Sequence, residues 1–225
     1  MEKIKLKLPG DDDYFVQEAY KVLRTNLQFC GQDVRVIAIT SCNENEGKST
    51  TALGVARSFA ELGKSVLVID TDMRKSVMAV RNTDVKDPKG LSEVLTGMCA
   101  LREALYQVEG TSMHILFAGQ FPPNPVELLG GKYFSALLEE SRKAFDYIIV
   151  DTPPLGQVID AAVIAQRCDG AVLLLGRDKV SYRQAQEVVD QIKKSGCKML
   201  GVVRRNGKKQ GKYSYYSYGQ KSKKT

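Results

Sequence analysis

Short apolar segments alternate along the chain with longer segments of helical periodicity. The apolar segments are rich in Val, Ile and Leu, and six of them predict strands. These lie at residues 34–40, 65–70, 114–118, 147–151, 170–175 and 199–203. Strands without polar alternation are typical of parallel sheets that are buried on both faces. The pattern therefore predicts an α/β fold with a doubly wound, mainly parallel sheet and helices on both faces.

The segment before the first predicted strand has apolar residues near helical spacing. It predicts an amphipathic helix over residues 14–29. The polar side of this helix carries Glu18, Lys21 and Arg24 at intervals of three residues, which places them on one stripe. Such a stripe is either a solvated face or a contact with another subunit, and the pattern alone leaves both interpretations open.

The first predicted strand is followed by a loop that ends in Gly47-Lys48-Ser49 and then by a helix over residues 51–62. This order places backbone N–H groups and the positive end of a helix dipole around a phosphate. Lys48 can reach the β- and γ-phosphates of a nucleotide, and Ser49 can bind Mg²⁺. We therefore predict a P-loop and a P-loop NTPase-like fold, although Cys42 stands where the first glycine is usual. The candidate nucleotide-binding residues are Asn45, Glu46, Gly47, Lys48, Ser49 and Thr50.

Acidic residues end two of the other predicted strands. Asp70 closes the second strand and is followed by Asp72, while Asp151 closes the fourth. Because the carboxyl ends of parallel strands open on one ligand crevice, we expect these carboxylates to lie beside the P-loop. Asp151 is the candidate Walker B residue, which holds Mg²⁺ directly or through water. A single carboxylate at a strand end is often only a helix cap, but three beside a GKS loop favour a metal–nucleotide site.

Length and composition are those of an ordinary soluble domain, with 225 residues, 43% hydrophobic and 26% charged. No apolar run approaches the ~20 residues of a membrane span, and the amino-terminal residues lack the apolar core of a signal peptide. Five widely spaced cysteines and one histidine, His114, argue against a disulfide framework and against a Cys/His zinc site. We expect a cytoplasmic protein with reduced thiols.

The basic charge of the chain is concentrated at its carboxyl end. The whole chain has 33 Lys and Arg against 26 Asp and Glu, whereas residues 1–203 have 25 against 26. The same end carries Tyr213, Tyr215, Tyr216 and Tyr218. A basic, tyrosine-rich tail either binds nucleic acid through stacking and phosphate contacts or presents tyrosines that accept phosphate. The P-loop favours the second interpretation, so no nucleic-acid partner is expected.

Taken in order, these motifs resemble the bacterial tyrosine kinases of capsular and exopolysaccharide synthesis, in particular the stand-alone cytoplasmic kinase of Gram-positive bacteria. The resemblance covers almost the whole chain. It rests on the helix motif at 18–27, the P-loop at 46–49, the Walker A′ segment at 70–75, Gly90-Leu91-Ser92, the proline-rich segment 122–125, Asp151-Thr152-Pro153-Pro154 and the tyrosine cluster.

The resemblance implies an ATP-dependent protein-tyrosine autokinase that uses Mg²⁺ and phosphorylates the four tail tyrosines in trans. It implies that Lys48, Asp70 and Asp72 are the catalytic residues, with Asp70 as the candidate that accepts the phenol proton. It further implies that Ser49, Asp72 and Asp151 hold the metal. The chain with phosphorylated acceptor tyrosines would be one state of a cycle that regulates polysaccharide synthesis.

The same resemblance implies that Glu18, Lys21 and Arg24 assemble subunits into a ring, with Lys21 where an arginine is more usual. The implied partners are the cytoplasmic segment of a transmembrane activator or polysaccharide co-polymerase and a cognate tyrosine phosphatase. The protein would then be recruited to the inner face of the cell membrane. We expect an oligomerisation segment at 1–30, a kinase domain at 31–205 and a flexible tail at 206–225.

Two other functions use the same P-loop. One is a nucleotide-switched ATPase, related to partitioning and division ATPases, that positions DNA or membrane cargo through the basic tail. Those ATPases have a signature lysine five residues before the catalytic lysine, and here that position is Asn43. The other is a scaffold in which the P-loop only gates ring assembly.

The kinases usually have an asparagine near the adenine after the last strand, and Asn206 matches it only with a one-residue shift.

Overall fold

The computed structural model describes residues 1–176 and 180–205. The strands are β1 (Glu2–Ile4), β2 (Val36–Ser41), β3 (Val66–Asp70), β4 (Leu105–Val108), β5 (Met113–Leu116), β6 (Tyr147–Asp151), β7 (Gly170–Leu175) and β8 (Met199–Arg204). The helices are α1 (Tyr14–Phe29), α2 (Lys48–Ala60), α3 (Met78–Asn82), α4 (Leu91–Leu95), α5 (Leu101–Ala104), α6 (Pro125–Gly130), α7 (Lys132–Ala144), α8 (Asp160–Ala165) and α9 (Tyr182–Lys194).

The strands of the described residues form one sheet in the order β1-β4-β5-β3-β6-β2-β7-β8. Neighbouring strands are parallel except β4 and β5, which are antiparallel. All six predicted strands are present, and the prediction of a doubly wound, mainly parallel α/β fold is confirmed. In this order β6 lies between β3 and β2, which decides what meets at the carboxyl edge of the sheet.

Two strands were not predicted from the sequence, β1 and β4, and they pair with each other. In β1 only Ile4 is buried, while Glu2 and Lys3 are exposed. A strand with a single buried side chain has no apolar run and no alternation to reveal it. Its extended conformation is stabilised by hydrogen bonds to β4, a contact between segments that are distant in the sequence.

Helices cover both faces of the sheet. On one face α1 and α2 bury apolar side chains that include Leu27 and Phe59. On the other face α7 buries Phe134, and α9 buries Val188. Phe59 is fully buried and stacks on Tyr147 with ring centroids 3.9 Å apart, and burying a side chain of this size contributes roughly 2–3 kcal/mol. With both faces covered, the carboxyl edge of the sheet is the place where a ligand can enter.

A local signal marks the start of α9, whereas the start of α2 differs from its prediction. The Ser181 hydroxyl accepts a hydrogen bond from the Gln184 N–H (3.2 Å), and the Gln184 side chain accepts one from the Ser181 N–H (3.1 Å), so α9 begins with a capping box. Helix α2 instead begins at Lys48, earlier than the predicted residue 51. The GKS segment itself forms the first turn, and Gly47, in the left-handed conformation, is the N-cap.

The cysteines are free thiols, as predicted, and Cys42 and Cys197 are buried. Burial raises the pKa of each of these two thiols to about 11, so they stay protonated and unreactive near neutral pH. The ring of His114 packs in β5 against Phe145 with centroids 5.3 Å apart, which is a structural role. Among the helices of residues 1–176 and 180–205, none has both the length and the apolarity to cross a membrane.

Candidate active site

The P-loop connects the end of β2 with the start of α2 at the carboxyl edge of the sheet. Gly47 is the N-cap of α2 and has a φ of 95°, which glycine adopts without strain. The first N–H groups of a helix have no partner within the helix. Lys48, the first residue of α2, is buried with 8% of its surface exposed. Backbone donors, a helix amino terminus and an ammonium group therefore lie together, a combination that suits a phosphate.

The side chain of Glu46 holds the P-loop in shape. Its carboxylate accepts a hydrogen bond from the Cys42 N–H (3.1 Å) and one from the side-chain amide of Asn43 (3.3 Å). Gly176, at the end of β7, packs so closely that a Cβ there would lie 2.8 Å from Glu46 Cγ. Among the predicted nucleotide-binding residues, Glu46 thus uses its carboxylate inside the loop and has only its backbone to offer a ligand.

Asp70 and Asp151 lie side by side at the ends of adjacent strands. They are direct partners in the register of β3 and β6. Each is 1% exposed. Ser49, in the first turn of α2, lies near enough to Asp151 to lower the pKa of that carboxyl. The P-loop and two acidic strand ends therefore meet at one point, in the arrangement that the sequence predicted.

Burial changes the proton affinity of both carboxylates. Burial and then the charge of Asp151 raise the pKa of Asp70 well above its ordinary value, although a hydrogen bond from Ser76 acts in the opposite direction. Burial raises the pKa of Asp151 to about 7, even though Ser49 and Lys48 both lower it. Two buried carboxylates that repel each other do not both ionise readily. A cation at this point would relieve that repulsion.

Asp72 lies two residues beyond the end of β3 and is less buried than Asp70. Its N–H donates to Asp70 Oδ1 (3.1 Å), and its own Oδ1 accepts from the N–H of Lys75 (3.1 Å). Burial raises the pKa of Asp72, and the charge of Lys48 lowers it. Lys48 therefore acts on two of the predicted carboxylates, Asp72 and Asp151.

Three contacts at this edge were missed by sequence reasoning. Arg74 pairs with the buried Asp160, with Nε and Oδ2 2.8 Å apart, and so ties the Walker A′ segment to α8. Ser76 donates a hydrogen bond to Asp70. The guanidinium group of Arg205 lies against Gly47. Arg74 stood within a recognised motif, which was an available signal, whereas nothing in the local pattern pointed to the role of Arg205.

The oxygen donors at this edge suit Mg²⁺. Asp151 Oδ1 is buried and has no hydrogen-bond partner within the described part of the chain, which is costly unless another group binds that oxygen. Ser49 and Asp72 add a hydroxyl and a carboxylate, both hard donors. Residues 1–176 and 180–205 contain no group of three His, Cys or acidic side chains arranged to hold a metal unaided. Mg²⁺ does not require one, because it keeps several waters and binds one or two carboxylates together with phosphates.

The remaining predicted site residues lie elsewhere. Glu18, Lys21 and Arg24 are on α1, which packs on α2. The predicted acceptors and the asparagine after the last strand lie outside the described residues: Tyr213, Tyr215, Tyr216, Tyr218 and Asn206.

Comparison with known proteins connects this site to a family. A family model described as an AAA domain matches residues 34–196. The tyrosine-protein kinase CpsD of Streptococcus agalactiae is 39% identical over 187 residues, covering 83% of this chain and 82% of that protein. CpsD of Streptococcus pneumoniae is 40% identical over 210 residues, covering 91% and 92%. The chain belongs to the bacterial tyrosine-protein kinases. The resemblance of its motifs to that family is thereby confirmed, and its enzyme class is protein-tyrosine kinase.

Solved structures agree with this assignment of the kinase. The chimerical protein CapA2B2 superimposes with a TM-score of 0.82 at 26% identity, covering 92% of this chain and 94% of that one. The MinC:MinD cell division complex of Aquifex aeolicus superimposes with a TM-score of 0.58 at 23% identity, which shows a shared fold alone. The predicted P-loop NTPase-like fold is confirmed, and the partitioning-ATPase alternative is the weaker one.

Proposed function

We propose that this kinase transfers the γ-phosphate of ATP to tyrosines in the tail of a second copy and thereby regulates the synthesis of capsular or extracellular polysaccharide. The observation that carries the proposal is the meeting of the P-loop with Asp70 and Asp151 at one sheet edge, in a member of the tyrosine-protein kinases. Phosphoryl transfer depends mainly on positioning and on neutralisation of charge. A helix amino terminus, a buried ammonium group and paired carboxylates suit both tasks.

In this proposal, residues 45–50 bind the phosphate groups of ATP, and Lys48 neutralises the β- and γ-phosphate oxygens. Ser49, Asp72 and Asp151 would hold Mg²⁺. When bound, Mg²⁺ neutralises charge on the phosphates and orients them for transfer. Asp151 Oδ1 has no hydrogen-bond partner among the described residues, which supports this assignment.

Asp70 is proposed to accept the proton of the incoming tyrosine. The phenol oxygen bonds to the γ-phosphorus, the bond from that phosphorus to the bridging oxygen breaks, and ADP leaves. The phenol proton passes to the carboxylate of Asp70. A phenol has a pKa of about 10, and burial raises the pKa of Asp70. The raised pKa brings the proton affinities of donor and acceptor closer, which favours general-base catalysis.

Charge supports the tail as the acceptor. Residues 204–225 carry eight basic residues and no acidic one, and the site at the sheet edge is lined by carboxylates. Each phosphate adds a charge of about −1.5 to −2, so four of them would nearly cancel the basic charge of the tail. Phosphorylation would therefore convert a segment attracted to acidic surfaces into one that is nearly neutral, which is a basis for cycling.

Replacing Tyr213, Tyr215, Tyr216 and Tyr218 together by Phe should remove most phosphotyrosine and leave ATP affinity unchanged, because only the acceptor hydroxyls are lost. Phosphotyrosine blotting after incubation with Mg·ATP and ATP titration would measure the two effects. The single variant Tyr182→Phe is a matched control, since Tyr182 on α9 is 84% exposed and lies outside the tail.

Mixing this tail variant with Lys48→Met tests transfer between chains. The tail variant has an intact active site and no acceptor cluster, and the Lys48→Met chain has an intact tail. Label on the Lys48→Met chain is the expected result. Label that appears on the tail variant, and not on the Lys48→Met chain, would contradict the proposal that the tail is the main acceptor.

We also propose that α1 joins subunits in a ring. Glu18 and Lys21 form an ion pair of 2.8 Å and are each about two-fifths exposed, at 40% and 42%. Arg24 is different, because its guanidinium group donates to the carbonyl oxygen (2.8 Å) and hydroxyl (3.1 Å) of Ser58 on α2 of its own chain. Phe29 on the same helix is 81% exposed, which supports a contact with another subunit.

The double variant Glu18→Ala/Lys21→Ala should lower the oligomer mass in light scattering with little change in thermal stability, because exposed ion pairs contribute only about 0–1 kcal/mol to folding. Arg24→Ala should lower both quantities, since Arg24 also attaches α1 to α2. The control is Arg183→Ala/Glu187→Ala, an exposed pair on α9. An unchanged mass in the first variant would return these residues to the role of a solvated face.

The motif resemblance supports proposed partners as well. We propose that the cytoplasmic segment of a transmembrane activator or polysaccharide co-polymerase recruits the kinase to the inner face of the cell membrane. A cognate tyrosine phosphatase would remove the tail phosphates and reset the cycle. The division into an assembly segment at 1–30, a kinase domain at 31–205 and a tail at 206–225 belongs to the same proposal.

A further inference from the structure

Arg205 directly follows β8, and its side chain reaches the P-loop. Its N–H donates to the carbonyl oxygen of Leu175 (2.9 Å), and the preceding residue, Arg204, pairs with Leu175 in the register of β7 and β8. The Arg205 atoms Cζ and Cδ lie 3.0 and 3.1 Å from the position that a Cβ on Gly47 would occupy. The guanidinium group therefore covers the side of Gly47 that the missing side chain leaves open.

Arg205 has no acidic partner within ion-pair distance among residues 1–176 and 180–205. Two other exposed cations at this edge do have one: Arg74 pairs with Asp160, and Lys75 pairs with Glu44. The positive end of the α2 dipole lies at Gly47, where Arg205 adds a further positive charge. A cation beside the positive end of a helix dipole is unfavourable. An anion between the Arg205 guanidinium group and the helix amino terminus would be bound by both.

A second observation, on Tyr20, also places the charge of Arg205 beside the first turn of α2. Its hydroxyl donates to the carbonyl oxygen of Thr50 (3.3 Å), and its ring lies on Gly54. Burial raises the pKa of Tyr20, and the charge of Arg205 lowers it. Arg205 therefore acts electrostatically on a group that is fixed to the P-loop helix, and not only on Gly47.

We propose that Arg205 binds the phosphate chain of the nucleotide directly and is the second cation of the cradle beside Lys48. A guanidinium group offers a planar fork of N–H donors that matches phosphate oxygens. The inference rests on the nucleotide binding proposed above and adds a contact that the P-loop motif does not contain. It assigns a ligand-binding role to the residue that joins the kinase fold to the tyrosine-rich tail.

The test is equilibrium binding of ATP, inorganic tripolyphosphate and adenosine to the full chain, without an activity readout. Arg205→Ala should weaken binding of ATP and of tripolyphosphate by about 10- to 100-fold, the range for a lost charge-assisted hydrogen bond. Adenosine binding should be unchanged. Arg205→Lys should fall between Arg205→Ala and the wild type, because lysine keeps the charge but loses the fork.

Arg204→Ala is the matched control, since Arg204 is the adjacent residue and is also exposed. This substitution removes the same charge. It should change the affinities by no more than about twofold, because a charge without direct contact is screened by salt. Equal losses in both alanine variants, unchanged or tighter ATP binding by Arg205→Ala, or a loss confined to adenosine would each overturn the inference. A wild type that binds ATP but forms no phosphotyrosine would contradict the proposed function and leave the assignment of Arg205 standing.

Discussion

Replacing Lys48 by methionine should reduce phosphotyrosine formation at least about 100-fold, the range found when one preorganised electrostatic donor is removed from a transition state. Lys48 is buried at the start of α2, and its charge lowers the pKa of Asp72 and of Asp151. Methionine keeps the length of the side chain and removes the charge. The two carboxylates would then hold protons more tightly and lie beside the γ-phosphate without a compensating lysine.

The measurement is the rate of phosphotyrosine formation at saturating Mg·ATP, with the cytoplasmic segment of the proposed activator present. Thermal unfolding is the check on folding. Lys64→Met is the matched control, because Lys64 lies just beyond the other end of α2, where the Ser112 hydroxyl donates to its carbonyl oxygen (2.6 Å). This control should retain the wild-type rate. A signal from Lys48→Met equal to that of the wild type would rule out P-loop phosphotransfer by this chain.

Replacing Asp70 by asparagine should lower phosphotyrosine formation by about 10²- to 10⁴-fold, the usual contribution of a general base, while ATP affinity is retained. Asparagine can keep the local hydrogen bonds, because its oxygen accepts from the Asp72 N–H and its amide can donate to the Ser76 hydroxyl. The apparent affinity for Mg²⁺ separates the two proposed roles. It should be unchanged in Asp70→Asn and weakened in Asp72→Asn.

The same variant should have a larger free energy of unfolding than the wild type at pH 8. Burial raises the pKa of Asp70 in the folded state, so the unfolded chain ionises first. The stability of the wild type therefore falls as pH rises from the ordinary aspartate pKa toward the folded one. Asparagine removes this fall, and the advantage of Asp70→Asn should be larger at pH 8 than at pH 5.

Urea unfolding without nucleotide or metal at the two pH values would measure this difference. Asp146→Asn is a control of opposite sign, because hydrogen bonds from Ser65 lower the pKa of Asp146. Its removal should destabilise the protein at pH 8 and leave phosphotransfer intact.

If Asp70→Asn kept the wild-type rate of phosphotyrosine formation, Asp70 would not be the base, and Asp72 would be the next residue to test.

Local patterns predicted most of the fold and the centre of the site. The strands that became β2, β3, β6 and β7 are continuous apolar runs, because both of their faces are buried. The P-loop is a short segment whose backbone conformation depends mainly on its own residues, so its motif was recognisable without the rest of the chain. Asp70 and Asp151 could be placed at the same edge because parallel strands end on the same side.

Features that depend on contacts between distant segments could not be predicted in this way. The edge strand β1 has only one buried side chain, Ile4. The ion pair of Arg74 with Asp160 joins two segments that show no common periodicity. The predicted stripe on α1 was divided by the fold, since Arg24 turned out to bond to Ser58 while Glu18 and Lys21 pair on the surface.

The sequence by itself determined the alternation of strands and helices, the phosphate-binding loop and the acidic residues at strand ends, because periodic burial and backbone conformation are local properties. The tertiary structure alone decided that β6 lies between β3 and β2, which makes Asp70 and Asp151 direct neighbours and shifts their pKa values. It also decided that Arg205 reaches Gly47 from the far side of β7. Strand order and such long-range contacts follow from packing the whole core, and no short segment of the chain specifies them.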